Sequence, residues 1–439
     1  MSHILSSAQP RQASTRAYLR SRVAGCIGHA IEWFDFSIYA NLAIFFGSQL
    51  FPADNQSSAL LAAFGVYALG FVMRPAGAWL LGVVADRYGR KTALTVSVTT
   101  MAIGSLMIAV VPTYAAIGLA APIIATIARL LQGLSVGGEF AAACSFLAET
   151  APPNKRGFHG SFLFFGTGIG LILASGITWA LTQALSHDQM LRFGWRIPFV
   201  IGAFGGLFGY WLRTRVSETE AFKEAAAHGR QQTNGSVRSL LSLHRRQVCT
   251  LIGASILGAF AFYLFIVYVP VYAIHRSGAA PATAYAASTW SLIVFTAVQP
   301  LFGALSDRLG RRPQLIFMAA AYTVFLYPVV LSVGDTFWSI FRVEMFGMIL
   351  YALYTSIAPA VMAEMFDTDV RALGIGLPFN LVVAVLGGTT PYLMTWLQGR
   401  HQEQFFLIYV CVGSAISLVT YLVMAETKAK RIEHSSVES

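Results

Sequence analysis

The sequence has 439 residues, of which 56% are hydrophobic and 11% are charged, and its formal net charge is +10. Soluble globular domains carry about 25% charged residues, so this composition excludes an ordinary soluble protein. Apolar runs of roughly 20 residues, the length that crosses a bilayer, recur along the whole chain. The sequence therefore predicts an all-α membrane protein with many spans.

Twelve apolar segments are predicted to be membrane-spanning helices. In chain order they cover residues 22–48, 58–83, 92–111, 116–147, 157–185, 195–213, 247–274, 284–305, 313–333, 337–363, 372–398 and 404–425. The polar segments between them fall alternately on opposite sides of the membrane, and one set holds nearly all of the lysines and arginines. By the positive-inside rule this set faces the cytoplasm, so both termini are predicted to be cytoplasmic. The first twenty residues lack the apolar core of a signal peptide, which agrees with a cytoplasmic N-terminus.

We interpret the excess of lysine and arginine as a topology signal. Anionic lipid head groups are a secondary partner for such charges, and no nucleic acid is expected to bind. The four cysteines are scattered and form no metal-binding spacing: Cys26, Cys144, Cys249 and Cys411. The sequence also holds no phosphate-binding loop and no pairing of a nucleophile with a base. We therefore predict no metal site and no enzymatic activity.

A repeat at half the chain length divides the protein into two halves. Residues 82–91 read GVVADRYGRK and residues 303–312 read GALSDRLGRR, which are identical at five of ten positions. Parallel repeats of this kind build many secondary transporters around a central site. The predicted organisation is a cytoplasmic tail at 1–21, a first six-helix bundle at 22–213, a cytoplasmic linker at 214–245, a second six-helix bundle at 246–425 and a cytoplasmic tail at 426–439.

The repeated loops predict gates at the cytoplasmic ends of the helices. In each half an aspartate and several basic residues follow an apolar segment, and further along a glutamate stands seven residues before an arginine. Ion pairs among such groups would hold the cytoplasmic side closed in one state and break in the other. An alternative is that these charges only set the topology. The predicted gate residues are Gly82, Asp86, Arg87, Gly89, Arg90, Glu149, Arg156, Asp307, Arg308, Arg311, Glu364 and Arg371.

Several stretches resemble a known transporter family. GVVADRYGRK is similar to the loop signature of the major facilitator superfamily, between its second and third helices. Together with GHAIEWFDFSIY, ARLLQGLSVGGEF, ETAPPNKRGFHGSF, GWRIPF and ALSDRLGRRP, it resembles the bacterial metabolite:proton symporter family. The resemblance runs from about residue 20 to residue 425 and so covers nearly the whole chain.

This resemblance implies a fold and a function. The fold would be twelve helices in two pseudo-symmetric six-helix bundles, and the protein would work as a monomer in the bacterial inner membrane. It would import a small organic acid with a proton by rocker-switch alternating access, with the proton as coupling ion and no other cofactor. The expected substrate is a dicarboxylate such as α-ketoglutarate or a tricarboxylate such as citrate. The alternatives are a zwitterionic osmolyte (betaine or proline), an aromatic hydroxy acid such as shikimate, and a sensor that kept the fold without transport.

The first apolar segment contains the stretch GHAIEWFDFSIY, with three ionisable side chains. On a helix His29, Glu32, Asp35 and Tyr39 are expected to share one face, and an acid at the bilayer centre costs roughly 2.5–3.5 kcal/mol. This face is therefore predicted to point into the bundle. Glu32 could relay protons or bond only to the backbone. His29 could tune proton release or form a structural hydrogen bond.

Asp35 and Arg129 are predicted to form the proton switch, because both lie near the middle of their helices. A nearby cation keeps a carboxylate ionised, while burial favours its neutral form. When substrate or a gate movement draws the arginine away, the acid would take up a proton. A fixed structural salt bridge is the alternative. The resemblance agrees, because proton-linked members of the superfamily often place an acid on the first helix opposite a base on the fourth.

Arg74 interrupts the second apolar segment, and its planar guanidinium matches the two oxygens of a carboxylate. We predict that it binds a substrate carboxylate, and an ion pair in the inner gate is the alternative. The other predicted substrate-binding residues are polar or aromatic groups in the interior of both halves, for whose tyrosines ordinary helix packing is the alternative: His29, Tyr39, Tyr263, Gln299 and Asn380.

Three further charged residues lie towards the predicted outer face. Arg196, in the stretch GWRIPF, either attracts anions or anchors the end of its helix. Arg342 and Glu344, two residues apart in the tenth segment, are predicted to pair with each other.

Overall fold

The computed structural model describes residues 11–52, 55–88, 90–137, 139–214, 240, 242–367 and 370–428. These residues are almost entirely helical, with short turns between helices. In chain order the helices are α1 Arg11–Leu50, α2 Gln56–Tyr88, α3 Arg90–Val110, α4 Tyr114–Ile117, α5 Ala120–Val136, α6 Glu139–Thr150, α7 Arg156–Ala184, α8 His187–Gln189, α9 Arg196–Thr214, α10 Arg245–Ala261, α11 Val269–Ser277, α12 Pro281–Leu309, α13 Arg312–Leu331, α14 Phe337–Thr355, α15 Ala358–Met365, α16 Arg371–Val382, α17 Thr390–Gln398 and α18 Glu403–Val423. Short π-helical segments join several of them: Met190–Gly194, Phe262–Tyr268 and Val383–Gly387.

Within the described residues, eight helical segments are long and apolar enough to cross a bilayer. They are Gln56–Leu81, Pro153–Ala184, Arg245–Ser277, Pro281–Leu309, Arg312–Leu331, Phe337–Met365, Arg371–Gln398 and Glu403–Val423. Two shorter apolar helices cover Thr95–Val110 and Ala120–Val136. These segments coincide with predicted spans, so the all-α membrane fold is confirmed. The count of twelve spans stays a prediction.

Two helices differ from the predicted segments. Helix α1 begins at Arg11, before the apolar segment that was predicted to start at residue 22, because the preceding residues include good helix formers such as alanine, leucine and arginine. The predicted fourth span contains α5 and α6, and residue 138 between them lies outside the described residues.

The predicted domain boundaries lie partly outside the described residues. Three stretches lie outside the described residues: 1–10 in the N-terminal tail, 215–239 and 241 in the linker, and 429–439 in the C-terminal tail. The division into two bundles, a linker and two tails therefore stays a prediction.

The halves meet most extensively along α7 and α12. At one end of this contact Gly157 and Gly303 bring the two backbones together. A Cβ atom built on either glycine would lie 2.6 Å from the carbonyl oxygen of the other. Side chains at these two positions would push the helices apart, so the glycines set how closely the halves approach at this end.

The segment after α18 crosses the start of α13. Glu426 accepts hydrogen bonds from the backbone N–H groups of Arg311 and Arg312 at 2.9 and 3.0 Å, and so caps that helix. Thr427 donates to Glu364 at 2.8 Å. Burial raises the pKa of Glu426, but backbone N–H groups, that of Lys428 among them, outweigh this effect and hold its pKa below the usual value.

Replacing Glu426 with glutamine is expected to lower the thermal stability of the protein at neutral pH. Since the folded pKa is lowered, the carboxylate stabilises the fold above its unfolded pKa, and this contribution is lost as the pH falls through the folded value. The difference between the variant and the native chain should therefore shrink as the pH falls below the usual glutamate pKa of about 4.3. Thermal unfolding in detergent at several pH values measures this. Asp335→Asn, on an exposed loop, is the control, and a pH-independent difference for Glu426→Gln would contradict the assignment.

Candidate functional site

A central cavity of about 40 Å³ lies between the two halves. At roughly 10–15 Å³ of such volume for each water molecule, it holds about three waters. Its walls are mainly aromatic and aliphatic, with a few polar groups: His29, Glu32, Trp33, Arg74, Val136, Phe140, Phe164, Gly258, Ala259, Phe262, Tyr263, Tyr351, Tyr354, Ala358, Met362, Phe379, Asn380 and Val383. An apolar pocket with a few convergent polar groups is the usual form of a small-molecule site.

Arg74 is the buried cation of this cavity wall, with 3% of its surface exposed. Its guanidinium carbon lies 4.2, 4.7 and 5.9 Å from the ring centres of Phe71, Phe36 and Trp33. Within the described residues, its Nε and Nη2 atoms have no hydrogen-bond partner. Stacking on aromatic faces stabilises a desolvated cation by about 2 kcal/mol. The stacking does not use the Nε and Nη2 hydrogens, so these N–H groups remain able to bind an anion.

Tyr263 of the second half approaches Arg74 from the opposite wall. Its ring also packs on Phe71, with ring centres 5.1 Å apart. Among the described residues no carboxylate pairs with Arg74. The geometry therefore favours the predicted carboxylate-binding role of Arg74 over the inner-gate alternative.

Asp35 and Arg129 are both fully buried, but they do not form the direct ion pair that the sequence predicted. Arg129 Nη1 donates to Gln132 Oε1 at 2.7 Å, and Gln132 Nε2 donates to Ser105 Oγ at 2.9 Å. The Ser105 hydroxyl in turn lies beside the Asp35 carboxylate. Two neutral polar side chains therefore lie between the acid and the base, and within the described residues neither Asp35 oxygen has a hydrogen-bond partner.

The reason for the separation is the aromatic layer around Arg129. Its guanidinium carbon lies 4.3, 4.4 and 5.0 Å from the ring centres of Phe36, Tyr39 and Tyr67. Phe36 thus contacts both buried arginines, Arg129 and Arg74. This layer fills the space between the carboxylate side of α1 and the cavity.

The predicted single face of α1 is divided between two environments. His29 and Glu32 line the cavity, whereas Asp35 and Tyr39 do not. Steps of three residues on a helix fall short of a full turn by about 60°, so Asp35 is rotated about 120° from His29. Asp35 consequently packs against α9, where a Cβ atom on Gly202 would lie 2.9 Å from its Cγ atom.

The other predicted residues of the first half form hydrogen bonds or close polar contacts with neighbouring groups. Trp33 Nε1 donates to His29 Nε2 at 3.0 Å, and His29 Nδ1 lies 3.9 Å from Glu32 Oε2. The Tyr39 hydroxyl donates to the Ala63 carbonyl at 3.2 Å. His29 therefore has structural partners, and the Tyr39 hydroxyl is bonded to backbone rather than directed into the cavity.

In the second half the predicted residues have different positions. Asn380 lines the cavity, and its Nδ2 atom donates to the Gly137 carbonyl of the first half at 3.0 Å. Gln299 lies outside the cavity wall, and both of its amide atoms bond to the Thr355 hydroxyl at 2.8 and 3.0 Å. The structure thus gives Gln299 a helix-to-helix contact instead of the predicted place at the substrate.

Trp33, Phe36, Ser105 and Gln132 were not predicted as site residues. Ser105 and Gln132 are polar residues in apolar helices, and Gln132 follows Arg129 by three residues on the same helix face. That spacing was the available signal. The aromatic residues gave none, because aromatic residues occur throughout these helices.

At the predicted cytoplasmic end, Asp307 joins the two halves. Its carboxylate accepts hydrogen bonds from the backbone N–H groups of Gly157 and Phe158, at 2.9 and 2.8 Å, in the first turn of α7. It also pairs with Arg311, at 2.7 Å. An anion is favoured at a helix N-terminus, so a residue of α12 caps a helix of the other half.

Glu364 forms a second ionic centre at this end. Its Oε1 atom lies 3.8 Å from Arg156 Nη1 and 3.5 Å from Arg311 Nη2. Arg371 Nε donates to the carbonyl oxygens of Ala363 and Phe366, at 3.1 and 3.2 Å. Arg156 thus meets the glutamate of the other half.

The structure describes few contacts of the other predicted gate residues. Arg308 is exposed at the end of α12, and its carbonyl oxygen accepts a hydrogen bond from Lys428. Gly89 lies outside the described residues. The side chains of Asp86, Arg87, Arg90 and Glu149, and the surroundings of Gly82, also lie outside the described part of the chain.

Replacing Asp307 with alanine is expected to open the side predicted to be cytoplasmic, because the N-terminus of α7 loses its charged cap. Hydrogen bonds to a charged group contribute about 1.5–3 kcal/mol, so closure should weaken by roughly ten- to a hundredfold. The measurement is the labelling rate of Met362→Cys, on the cavity wall, by a membrane-impermeant thiol reagent in inverted vesicles, with the native cysteines replaced by serine. Asp335→Ala is the control. An unchanged rate for Asp307→Ala would show that the cap does not hold this side closed.

The opposite end is also closed in this structure. Tyr285 on α12 donates to the Asn41 carbonyl on α1, and Thr289 Oγ1 donates to Ser175 Oγ on α7 at 3.0 Å. The two halves are therefore in hydrogen-bonded contact at both ends.

The charged residues near this end differ in part from their predicted contacts. Arg196 stacks on Trp195 at 4.0 Å and donates to the Ala109 carbonyl at 3.3 Å, which fits the helix-anchoring interpretation. The predicted pair of Arg342 and Glu344 is wrong. Arg342 Nε donates to the Trp338 carbonyl at 3.1 Å, and Glu344 points to α12, because residues two apart project from different sides of a helix.

Comparison with known proteins identifies the family. Residues 25–389 match the sequence model described as Major Facilitator Superfamily. The chain belongs to the Major Facilitator Superfamily. It is therefore a transporter rather than an enzyme, as predicted from the sequence.

Individual relatives within the superfamily carry different substrates. The chain is 34% identical over 419 residues to the alpha-ketoglutarate permease of Escherichia coli (strain K12), covering 94% of this chain and 95% of that protein. It is 31% identical to the proline/betaine transporter of Salmonella typhimurium, covering 92% and 83%, and 32% identical to a putative proline/betaine transporter of Staphylococcus aureus (strain COL), covering 92% and 86%. The stretches AVQPLFGALSD, LYTSIAPAVMAEMF and VRALGIGL predict likeness to the first of these, and that likeness is confirmed.

Solved structures agree on the fold. The crystal structure of a D-xylose-proton symporter matches with a TM-score of 0.76 and 18% sequence identity, covering 94% of this chain and 99% of that one. A partially occluded, inward-open structure of the xylose transporter XylE from E. coli matches with a TM-score of 0.74. The superfamily fold predicted from the motifs is thereby confirmed.

Proposed function

We propose that this protein is a proton-coupled symporter that imports a small organic acid, with a dicarboxylate such as α-ketoglutarate as its substrate. The observation that carries the proposal is Arg74, a buried guanidinium on the cavity wall whose Nε and Nη2 atoms have no hydrogen-bond partner among the described residues. Removing a charge from water costs several kcal/mol unless it is paired, and a substrate carboxylate would supply the pairing. The similarity to the alpha-ketoglutarate permease supports the same substrate class.

The proton would bind at Asp35. Its carboxylate is fully buried beside Ser105, which is linked through Gln132 to Arg129, and Arg129 shares the ring of Phe36 with Arg74. A neutral Asp35 leaves the two arginines with more positive charge, which favours an anion at Arg74. An anion at Arg74 likewise offsets the positive charge and favours the protonated acid. Proton and substrate would thus bind cooperatively on one half of the protein.

Transport would follow from movement of the halves. The cavity has room for about three water molecules, which is too little for a dicarboxylate, so the halves would move apart to admit one. The contacts at Asp307 and Glu364 would break to open one side, and those of Tyr285 and Thr289 to open the other. We place the protein in the bacterial inner membrane, with the Asp307 end in the cytoplasm and a monomer as the functional unit.

A second candidate is a symporter of a zwitterionic osmolyte. The relatives named as proline/betaine transporters motivate it, and so does the aromatic wall formed by Trp33, Phe262 and Tyr263. A quaternary ammonium group binds well to aromatic faces, while its carboxylate would bind to Arg74. Unlike the first candidate, this one requires a ligand that carries a positively charged group.

Uptake into proteoliposomes with an inward proton gradient tests both candidates. Labelled α-ketoglutarate and labelled betaine would be supplied in turn, with unlabelled citrate, shikimate and proline as competitors. We expect α-ketoglutarate to accumulate above its outside concentration and betaine not to do so. Accumulation of betaine alone would reject the dicarboxylate and favour the second candidate, and failure of every label would reject both.

A further inference from the structure

Glu344 is a buried acid of the second half for which the proposed mechanism has no use. It lies on α14 and has no exposed surface. The Ser288 hydroxyl on α12 donates to its Oε1 atom, and the Ser291 hydroxyl lies beside the carboxyl group. Within the described residues, its Oε2 atom has no hydrogen-bond partner.

No charged side chain in the described part of the chain compensates this carboxyl group. On the same helix Arg342 turns away to the Trp338 carbonyl. Glu364, on the following helix α15, is twenty residues further along, or about 30 Å at the helical rise. Arg245 and Arg246 begin α10 at the predicted cytoplasmic end.

The charged groups on the packed helices are engaged elsewhere, since Arg276 on α11 pairs with Glu403, and Asp307 and Arg308 lie at the far end of α12; the nearer titratable groups are phenols and one imidazole. Tyr285 on α12 donates to the Asn41 carbonyl, and Tyr322 on α13 donates to the Gly347 carbonyl. On the seventh predicted span, the Tyr268 hydroxyl bonds to Gln398 at 2.9 Å, and Tyr272 and His275 lie further along α11. None of these groups brings a positive charge to Glu344.

Ser288 also connects Glu344 to the contact between the halves. A second small cavity of about 10 Å³, enough for one water molecule, is lined by Ser288 together with Ser37, Asn41 and Ser175 of the first half. This cavity lies beside the closing contacts of Tyr285 and Thr289. A hydroxyl both donates and accepts, so Ser288 can pass a proton between the carboxyl group and water in the cavity.

We propose that Glu344 is a second proton-binding site, which holds its proton while the halves are closed at this end and exchanges it with outside water when they separate. An uncompensated carboxylate in the protein interior costs several kcal/mol, so the closed state favours the neutral acid. Separation of the halves hydrates Ser288 and allows the charged form. Protonation of Glu344 therefore favours closure of this end. The inference rests on the alternating-access part of the proposed function and is independent of the substrate.

Infrared spectroscopy of the full chain in detergent, without substrate, tests the protonation. At neutral pH the Glu344→Gln variant is expected to lose absorption in the carbonyl-stretching region of protonated carboxyl groups. Glu403→Gln is the matched control, because Glu403 is a buried glutamate of the same half that pairs with Arg276, and it should lose carboxylate absorption instead. If Glu344→Gln does not fold, Ser288→Ala should shift the protonated-carboxyl band. Loss of carboxylate absorption in Glu344→Gln, or an unshifted band in Ser288→Ala, would overturn the proposal.

Labelling from outside intact cells tests the link to closure. A membrane-impermeant thiol reagent would modify Ser175→Cys in a chain whose native cysteines are replaced by serine. Because the thiolate is the reacting form, each rate is divided by that of a free cysteine at the same pH. We expect this corrected rate to rise by about tenfold from neutral to alkaline pH with Glu344 present, and to stay constant with Glu344→Gln. The same pH response in both chains would overturn the proposal. Failure of α-ketoglutarate uptake would not affect either experiment, so the two proposals can fail separately.

Discussion

Replacing Arg74 with lysine is expected to reduce α-ketoglutarate uptake by roughly ten- to a hundredfold. Lysine keeps the positive charge but loses the planar fork that binds two carboxylate oxygens and stacks on Phe71 and Phe36. A hydrogen bond to a charged group contributes about 1.5–3 kcal/mol, which corresponds to this range. The loss should appear mainly as weaker binding, because the interaction with the carboxylate is made in the bound state.

The measurement is α-ketoglutarate binding to the purified protein, followed by the fluorescence of Trp33, whose ring lies beside Arg74. Uptake of α-ketoglutarate into proteoliposomes is measured for the same proteins. Arg196→Lys is the matched control, since Arg196 belongs to the same half but lies outside the cavity wall. Equal affinities for native protein and Arg74→Lys would show that the substrate carboxylate binds elsewhere.

Replacing Asp35 with asparagine is expected to abolish accumulation driven by a proton gradient while leaving exchange of substrate across the membrane. Asparagine has nearly the same shape and keeps a polar contact with Ser105, but it does not titrate. A native symporter that moves one proton with each substrate gains about tenfold accumulation for each unit of pH gradient. The variant should equilibrate its substrate without accumulating it.

Proteoliposome uptake with and without a pH gradient, together with counterflow of labelled α-ketoglutarate, separates these activities. Asp188→Asn, on the exposed helix α8, is the control and should accumulate substrate like the native protein. Full accumulation by Asp35→Asn would mean that Asp35 is a structural acid and that coupling resides at another group. Loss of exchange as well as accumulation would assign Asp35 to the transport movement itself.

The sequence revealed the buried charges because each is costly in an apolar helix. Arg74 was predicted to bind a carboxylate, and it lies on the cavity wall with no carboxylate partner among the described residues. The repeated loops predicted gates at one end, and Asp307, Arg156 and Glu364 form contacts between the halves there. Charged residues within apolar helices were therefore good indicators of candidate site residues.

The sequence could not reveal how neighbouring helices orient these groups. The Arg129 side chain bonds to Gln132 on its own helix, and Gln132 reaches Ser105 on α3, a contact that only the packing of α3 against α5 decides. Gln299 bonds to Thr355, a contact set by the packing of α12 against α14. Glu344 likewise meets Ser288 instead of its neighbour Arg342, because rotation around the helix and tertiary packing decide partners.

The most direct test of the account is whether substrate carries protons with it. Proteoliposomes containing the native protein and an enclosed pH-sensitive dye would receive α-ketoglutarate outside, with no initial pH gradient and the membrane potential clamped. The account predicts that the interior acidifies as labelled α-ketoglutarate enters, and that Asp35→Asn abolishes the acidification. Entry of the label through native protein without any change of internal pH would contradict proton coupling.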